Sequence, residues 1–262
     1  SVIESDQYAC RFDGAASEVF TRTFRDRSGA LIEEEKGTSW GPVLGFTTHG
    51  WFHEDGVYSV ATSADVALDG QSRHYEHWRR QSGVTQSEVP RPSVDAWIPG
   101  IRRQADARSA LAIRSTTPDT STGITITVPT AAGSVSWRTE IPGNGSVLAD
   151  FAGDGAWSGL GTDFEGVARI TAQLPVVAEH IVHVSGDIPG MVALAAIDTA
   201  ETGTRLSAAA VFRSASVGAA GPLSSRVTVV NGGQGTDEAD VRYEGVAGLA
   251  CGADPPTAAS TG

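Results

Sequence analysis

The stretch GITITVPTAAGSVSWRTEI, residues 123–141, decides the fold class of this chain. Its first half alternates isoleucine and valine with threonine. Its second half places valine, tryptophan and isoleucine on one face, with serine and arginine on the other. A period of two residues is typical of strands that bury one face, and a glycine between two such runs indicates a turn. Residues 123–141 therefore predict two antiparallel strands joined by a glycine-containing turn.

The same arrangement recurs elsewhere in the chain. A shift of about 104 residues aligns two segments and superposes their turn glycines. The segments are SEVFTRTFRDRSGALIEE, which starts at Ser17, and TGITITVPTAAGSVSWRT, which starts at Thr122. A second match aligns DGVYSVATSADVALDG at residues 55–70 with EGVARITAQLPVVAEH at residues 165–180. Both matches keep the same order along the chain, so they predict an internal repeat.

A third match links the first strands of successive repeats: YACRF from Tyr8, SALAIRST from Ser109 and SSRVTVVN from Ser225. The unit is then about 100–115 residues long, which is the length of a domain and not of a short-period solenoid repeat. We therefore predict an all-β chain of two tandem antiparallel sandwiches followed by a C-terminal hairpin. The predicted domains are a first β-sandwich module at residues 1–105, a second at residues 106–222, and a partial third repeat with a polar tail at residues 223–262.

The second repeat carries the segments ALAIRSTTPD, GITITVP, IPGNGSV and GVARITAQLPVVAEH in that order, and the first carries RTFRDRSG and VYSVATSADVALDG. This succession resembles the tandem immunoglobulin-like or fibronectin-like β-sandwich modules of secreted actinobacterial and Chloroflexi surface proteins, whose last strand follows a VxSDxPVVAE pattern. The first repeat departs from the pattern, with Asp65 where the second has Pro175. Such modules share no catalytic residues, so the resemblance implies a scaffold, adhesion or stalk role.

The charge of the chain bears on its partners. Its 31 acidic and 19 basic side chains give a formal net charge of −12. An acidic surface repels nucleic acid and anionic lipid, so neither is an expected partner. No apolar run approaches the roughly 20 residues that a membrane-spanning helix needs. The sequence does not open with a signal peptide, and we expect the mature form of an extracellular or cell-surface protein.

The two cysteines, Cys10 and Cys251, lie near opposite ends of the chain. In a reducing compartment they would be unrelated thiols, whereas outside the cell they could close almost the whole chain into one loop. We predict that Cys10 and Cys251 are oxidised to a disulfide, which is either intramolecular or intermolecular.

The six histidines are the obvious candidates for metal ligands. In HIVH, His180 and His183 are three residues apart on an expected strand, so their rings point to opposite faces. HYEH could chelate an ion only if residues 73–81, the best helical candidate in the chain, form a helix. The densest group of possible ligands is HGWFHED, and a loop there could hold a structural divalent cation. Its members are His49, His53, Glu54 and Asp55. A structural role for the histidines is the favoured interpretation, and no cofactor is predicted.

Aromatic residues cluster in the first repeat, where they fit either a core or a sugar-binding surface. A core or an interface between modules is the favoured interpretation. Exposed tryptophans could instead stack on sugar rings, and the loop HGWFHEDG suits a binding site. The candidate glycan-binding residues are Trp40, Trp51, Phe52 and Trp78.

No nucleophile elbow, HExxH helix, Walker loop or GxGxxG fingerprint occurs in the sequence. The leading hypothesis is therefore a non-enzymatic extracellular structural or adhesive surface protein. The first alternative is a glycan-binding module, and the second is a divergent secreted hydrolase. The expected partners are other copies of the chain, neighbouring surface proteins or glycans.

The C-terminal hairpin predicted at residues 224–245 suggests how copies could assemble. A two-stranded hairpin is marginal alone in water, so its apolar face must be covered. It either folds back onto its own chain or adds a strand to a neighbouring subunit, which repeated head to tail would build a filament. The predicted assembly residues are Val227, Val229, Val241 and Tyr243.

Overall fold

The computed structural model describes most of the chain as far as residue 201 and a few short segments beyond it. The described residues are 2–11, 17–40, 43–46, 59–64, 68–78, 81–88, 91–153, 155–185, 190–201, 215–216, 222–223 and 229–231. They form an all-β fold with antiparallel pairing throughout and two short 3₁₀ helices. The all-β prediction is thus confirmed.

Seven strands occupy residues 2–88, which we call the first unit. They are β1 (Val2–Arg11), β2 (Ser17–Arg25), β3 (Leu31–Trp40), β4 (Val43–Phe46), β5 (Ser59–Ala64), β6 (Leu68–Trp78) and β7 (Gln81–Glu88). They form one sheet in the order β4-β1-β6-β7 and another in the order β3-β2-β5.

The second unit, residues 93–198, forms a single eight-stranded sheet. Its strands are β8 (Ser93–Arg103), β9 (Ala107–Ser115), β10 (Thr122–Thr130), β11 (Gly133–Ile141), β12 (Ser146–Asp150), β13 (Phe164–Val184), β14 (Gly190–Ala195) and β15 (Ile197–Asp198). The 3₁₀ helices span Gly155–Leu160 and Thr199–Glu201, and a short pair follows with β16 (Ala215–Ser216) and β17 (Pro222–Leu223).

The 21-residue strand β13 organises the second unit. Its first part pairs with β10 on one side and β8 on the other, and its second part pairs with β9 and β14. The second unit therefore contains the pairing series β11-β10-β13-β8 and β12-β9-β13-β14. The first series corresponds to β3-β2-β5 of the first unit, with the first part of β13 in the place of β5 and β8 beyond it. The second corresponds to β4-β1-β6-β7, with the second part of β13 in the place of β6.

The registers repeat as well. Ala9 lies opposite Leu44 in the first unit, and Ala112 lies opposite Leu148 in the second. The two hairpins that the sequence aligns, β2–β3 and β10–β11, each turn at a glycine with positive φ, Gly29 at 89° and Gly133 at 132°. The internal repeat seen in the sequence is therefore a repeat of strand pairing.

The core of the second unit follows the period-two pattern. In β10 the isoleucines and Val128 are buried, while the intervening residues are half-buried or exposed. Trp157, from the first 3₁₀ helix, is fully buried with its ring centroid 4.5 Å from that of Phe151. The Arg103 guanidinium donates to the carbonyls of Trp157 and Gly161, which fixes this helix against the end of β8.

The two units meet through glycine-rich turns. The β2–β3 turn lies against the turn between β11 and β12, and the Ser146 amide donates a 3.0 Å hydrogen bond to the Arg27 carbonyl. A Cβ added at Gly29 would overlap the Gly143 carbonyl oxygen, so a side chain at Gly29 would push the two turns apart.

Two expectations need correction. Residues 73–81 do not form a helix, since β6 runs to Trp78 and β7 begins at Gln81. Pairing with β1 and with each other decides their conformation, because strand pairing outweighs a short helical pattern. Val229 and Val230, expected in the first strand of the C-terminal hairpin, lie outside any strand, and Val229 is 51% exposed. The other residues of the predicted hairpin, apart from Asn231, lie outside the described residues, so the hairpin itself stays a prediction.

The expected boundary between modules at residues 105 and 106 falls between β8 and β9. These strands contact each other at Arg103 and Arg108, and β8 belongs to the sheet of the second unit. The sheet thus begins upstream of that boundary, at Ser93. The division of the chain into two sandwich modules stays a prediction.

Candidate functional site

The outward face of the series β11-β10-β13-β8 carries rows of polar side chains. Strand register places Arg138, Thr125, Thr171 and Asp95 side by side across four strands. A parallel row runs through Ser136, Thr127, Arg169 and Trp97. Side chains alternate along β10 and β13. The apolar ones point into the core, and the polar ones between them point outward, so the face is polar.

A groove of about 380 Å³ lies on this face, over β10, β11 and β13. Thr125, Arg138, Thr171 and Gln173 contribute to its lining. The Gln173 side-chain oxygen accepts a hydrogen bond from the Gly123 amide, so this end of the groove is held by β10. The groove offers hydroxyl groups and one guanidinium, a combination suited to hydrogen bonding with a polar ligand.

Beside the groove, Arg169 and Asp95 form a bidentate ion pair, with N–O distances of 2.7 and 2.6 Å. The guanidinium also lies over the Trp97 ring, 5.5 Å from its centroid. The hydrogen bond from Arg169 lowers the pKa of Asp95, and the same bond raises the pKa of Arg169. The Asp95 carboxylate is therefore held ionised, with both of its oxygens bonded to Arg169, which makes it a poor proton donor.

A serine–histidine pair lies inside the second unit. His180 Nε2 is 2.8 Å from Ser109 Oγ, a distance typical of a nucleophile and its general base. His180 is 0% exposed and Ser109 is 1% exposed, so no substrate reaches the hydroxyl in this conformation. Ser109 Oγ also accepts a hydrogen bond from the Arg102 amide. The pair links β9, β13 and the end of β8 within the core.

The predicted metal site falls in the segment HGWFHED. His49, His53, Glu54 and Asp55 lie outside the described residues. Among the residues that the structure does describe, no group of three or more histidine, cysteine or acidic side chains could hold a metal ion. The pair His74 and His77 lies in strand β6, so the helical geometry that chelation by HYEH required is not present.

His180 and His183 occupy positions of opposite parity in β13, as expected. His180 is buried on the same face as Ala178 and Val182, whereas His183 is half-buried on the other face. This part of the histidine prediction, that the two rings point to opposite faces, is confirmed.

Two of the four candidate glycan-binding residues fall within described strands. Trp40 closes β3 and Trp78 closes β6. These strands belong to different sheets of the first unit. Trp51 and Phe52 lie outside the described residues, so the glycan site as a whole stays a prediction.

Cys10 lies in β1, where it is opposite Val43 of β4 and Asp69 of β6. Cys251 lies outside the described residues, and the disulfide stays a prediction. Val227, Val241 and Tyr243 of the assembly set also lie outside them. Within the described part of the chain, no helix is long and apolar enough to cross a membrane.

Sequence reasoning missed both the Trp97–Arg169–Asp95 group and the Ser109–His180 pair. Each joins residues about 70 positions apart, 74 for Asp95 with Arg169 and 71 for Ser109 with His180. The aligned repeats give the pairing of β13 with β9 and β10, but the first unit has no described counterpart of β8 from which the position of Trp97 could be inferred.

Comparison of the chain with protein-family models, with curated proteins and with solved structures found no match to any of them.

Proposed function

We propose that this chain is a non-enzymatic extracellular structural or adhesive surface protein built from tandem immunoglobulin-like β-sandwich modules, and that its copies assemble by strand addition. One observation carries the proposal: the strand-pairing order of the first unit recurs in the second. Repetition of a whole domain along one chain is typical of proteins that extend or array a surface.

The contact between the units supports an extended, load-bearing role. The β2–β3 turn of the first unit meets the β11–β12 turn of the second through glycines that leave no room for side chains. The hydrogen bond from Ser146 to the Arg27 carbonyl ties the two turns together. A junction of this kind restrains the two units against each other better than a flexible linker does.

The chemistry of the second unit also suits a structural role. Its serine–histidine pair is closed inside the core, and the Asp95 carboxylate beside the outward groove is paired with Arg169. The acidic net charge of −12 favours a solvated surface.

The test is to follow the purified full chain by light scattering and electron microscopy over a wide range of concentrations. We expect elongated particles that associate into larger assemblies as concentration rises. Immunolabelling of intact cells of the source organism should place the protein at the surface. Compact particles that stay monomeric at the highest concentration would contradict assembly. Selective binding on a glycan array that Trp51→Ala abolishes would support the glycan-binding alternative instead.

A further inference from the structure

Two arginines, one from each unit, lie at the contact between the glycine-rich turns. Arg25 ends β2, and its Nη1 donates a 2.9 Å hydrogen bond to the carbonyl of Gly29, in the turn that meets the second unit. Arg114 lies in β9 opposite Ser146. The Ser146 amide in turn donates to the carbonyl of Arg27, two residues after Arg25. Arg25 and Arg114 therefore flank the same contact between the units.

The guanidinium of Arg114 lacks a compensating partner within the described part of the chain. Its Nε is buried and donates no hydrogen bond there. Burial lowers the pKa of Arg114, and the charge of Arg25 acts in the same direction, so the two like charges lie close enough to repel each other. Arginine does not lose its proton in proteins, so the repulsion persists. A negatively charged acceptor would satisfy the buried N–H group and offset both charges.

The acidic residue next to Arg25 along the chain does not supply that acceptor. The carboxylate of Asp26 accepts hydrogen bonds from the Ser28 hydroxyl and the Ala30 amide, so it is used within its own turn. The ion pairs formed among the described residues use other basic side chains. In that part of the chain, Arg25 and Arg114 are thus two neighbouring cations with no carboxylate between them.

We propose that Arg25 and Arg114 together bind a tetrahedral oxyanion, sulfate or phosphate, at the contact between the two units. The planar guanidinium fork binds such groups through paired, charge-assisted hydrogen bonds, and two forks can share one oxyanion. The oxyanion is either a free ion or a substituent on a glycan, because both present the same oxygens to the site. This inference goes beyond the proposed function and does not depend on assembly of the chain.

A bound oxyanion has a consequence for the contact between the units. Each unit supplies one of the two arginines, so the anion joins the turns that the hydrogen bond from Ser146 to Arg27 already connects. A ligand that binds the native contact and not the unfolded chain raises stability by mass action. The midpoint of thermal unfolding should therefore rise with the concentration of sulfate or phosphate. Since both ions also stabilise proteins without binding a site, the rise must be larger in the wild type than in the arginine variants.

The experiment titrates the full chain with sodium sulfate and, separately, with sodium phosphate, while sodium chloride keeps the ionic strength constant. The NMR signals of the arginine Nε–H groups report binding, and circular dichroism checks the fold. Arg25→Gln and Arg114→Gln should each weaken binding at least about tenfold, because each removes one charged fork. Arg138→Gln, a change at an exposed arginine of β11, is the matched control and should bind as the wild type does. If Arg114→Gln does not fold, Arg114→Lys, which keeps the charge without the fork, takes its place.

Saturable shifts that Arg25→Gln and Arg114→Gln abolish and Arg138→Gln retains would support the inference. Absence of binding would overturn it, and so would binding that survives loss of either arginine. Shifts that sodium chloride reproduces would also overturn it, because charge screening then explains them. A sulfated oligosaccharide that binds more tightly than inorganic sulfate assigns the oxyanion to a glycan, whereas equal or weaker binding assigns it to the free ion. Association of the chain is measured separately, so failure of this inference leaves the proposed function standing.

Discussion

Acidification should destabilise the second unit through His180, whose buried ring is neutral. Ser109 Oγ accepts from the Arg102 amide, which leaves its hydroxyl hydrogen for His180 Nε2 at 2.8 Å. The ring then carries its proton on Nδ1. The Pro99 carbonyl favours the charged form, although Nδ1 makes no hydrogen bond of standard geometry. Burial dominates and lowers the pKa of His180 to about 4, and the charge of Arg102 acts in the same direction.

The sign and size of the effect follow from proton linkage. The unfolded chain binds a proton at an ordinary histidine pKa of 6.5, whereas the native ring resists protonation until about 4. Between these values the unfolded state holds more protons, so the free energy of unfolding falls as the pH falls through the window. The pKa difference between 6.5 and about 4, at about 1.36 kcal/mol per unit, corresponds to a loss of about 3 kcal/mol in the free energy of unfolding.

The assay is chemical denaturation followed by tryptophan fluorescence at a series of pH values. His180→Gln keeps a polar group for Ser109 but removes the titration, so its stability should fall less steeply between pH 6.5 and 4 than that of the wild type. The control is Ile113→Val, a buried change that costs about 1 kcal/mol without touching a titrating group. It should keep the wild-type slope. Parallel curves for His180→Gln and the wild type would refute the reasoning.

Further expectations concern the turns and the core. Gly29→Ala should lower the free energy of unfolding by at least about 2 kcal/mol, because it adds both a positive-φ penalty and a clash with the facing turn. Gly133→Ala, where the added methyl group meets open space, should lower it by about 1 kcal/mol. Equal losses for the two variants in chemical denaturation would argue against the contact between the turns. Trp157→Ala should cost about 3–5 kcal/mol by the same measurement because the ring is fully buried, and a loss under 1 kcal/mol would contradict its place in the core.

The parts of the fold that were predictable are those with a local pattern. In β10 the alternation of threonine with Ile124 and Ile126 specifies which face is buried, and the structure buries that face. The glycine that ends this run supplies the positive φ that the turn to β11 requires. Pattern and turn chemistry agree here, so the hairpin follows from the sequence.

Other parts depend on partners that no local pattern reveals. HYEHW in β6 belongs to a stretch, residues 73–81, that fits about two helical turns or a strand. Pairing of β6 with β1, more than 60 residues earlier in the chain, decides for the strand. The two groups of site residues also depend on strand pairing. In the sequence, Trp97 is one of several aromatic residues and His180 is half of a histidine pair. Only strand register places Trp97 opposite Arg169, and only the pairing of β9 with β13 brings Ser109 to His180.

The length of β13 has a consequence for synthesis of the chain. Four strands, β8, β9, β10 and β14, pair with this one segment, and three of them precede it in the chain. While a ribosome is still making residues 93–163, those three strands lack their common partner and expose their apolar faces. The sheet can close only after Val184 has emerged, and contacts of such long sequence separation form slowly. Chaperone binding to nascent chains should therefore be strongest just before β13 is complete.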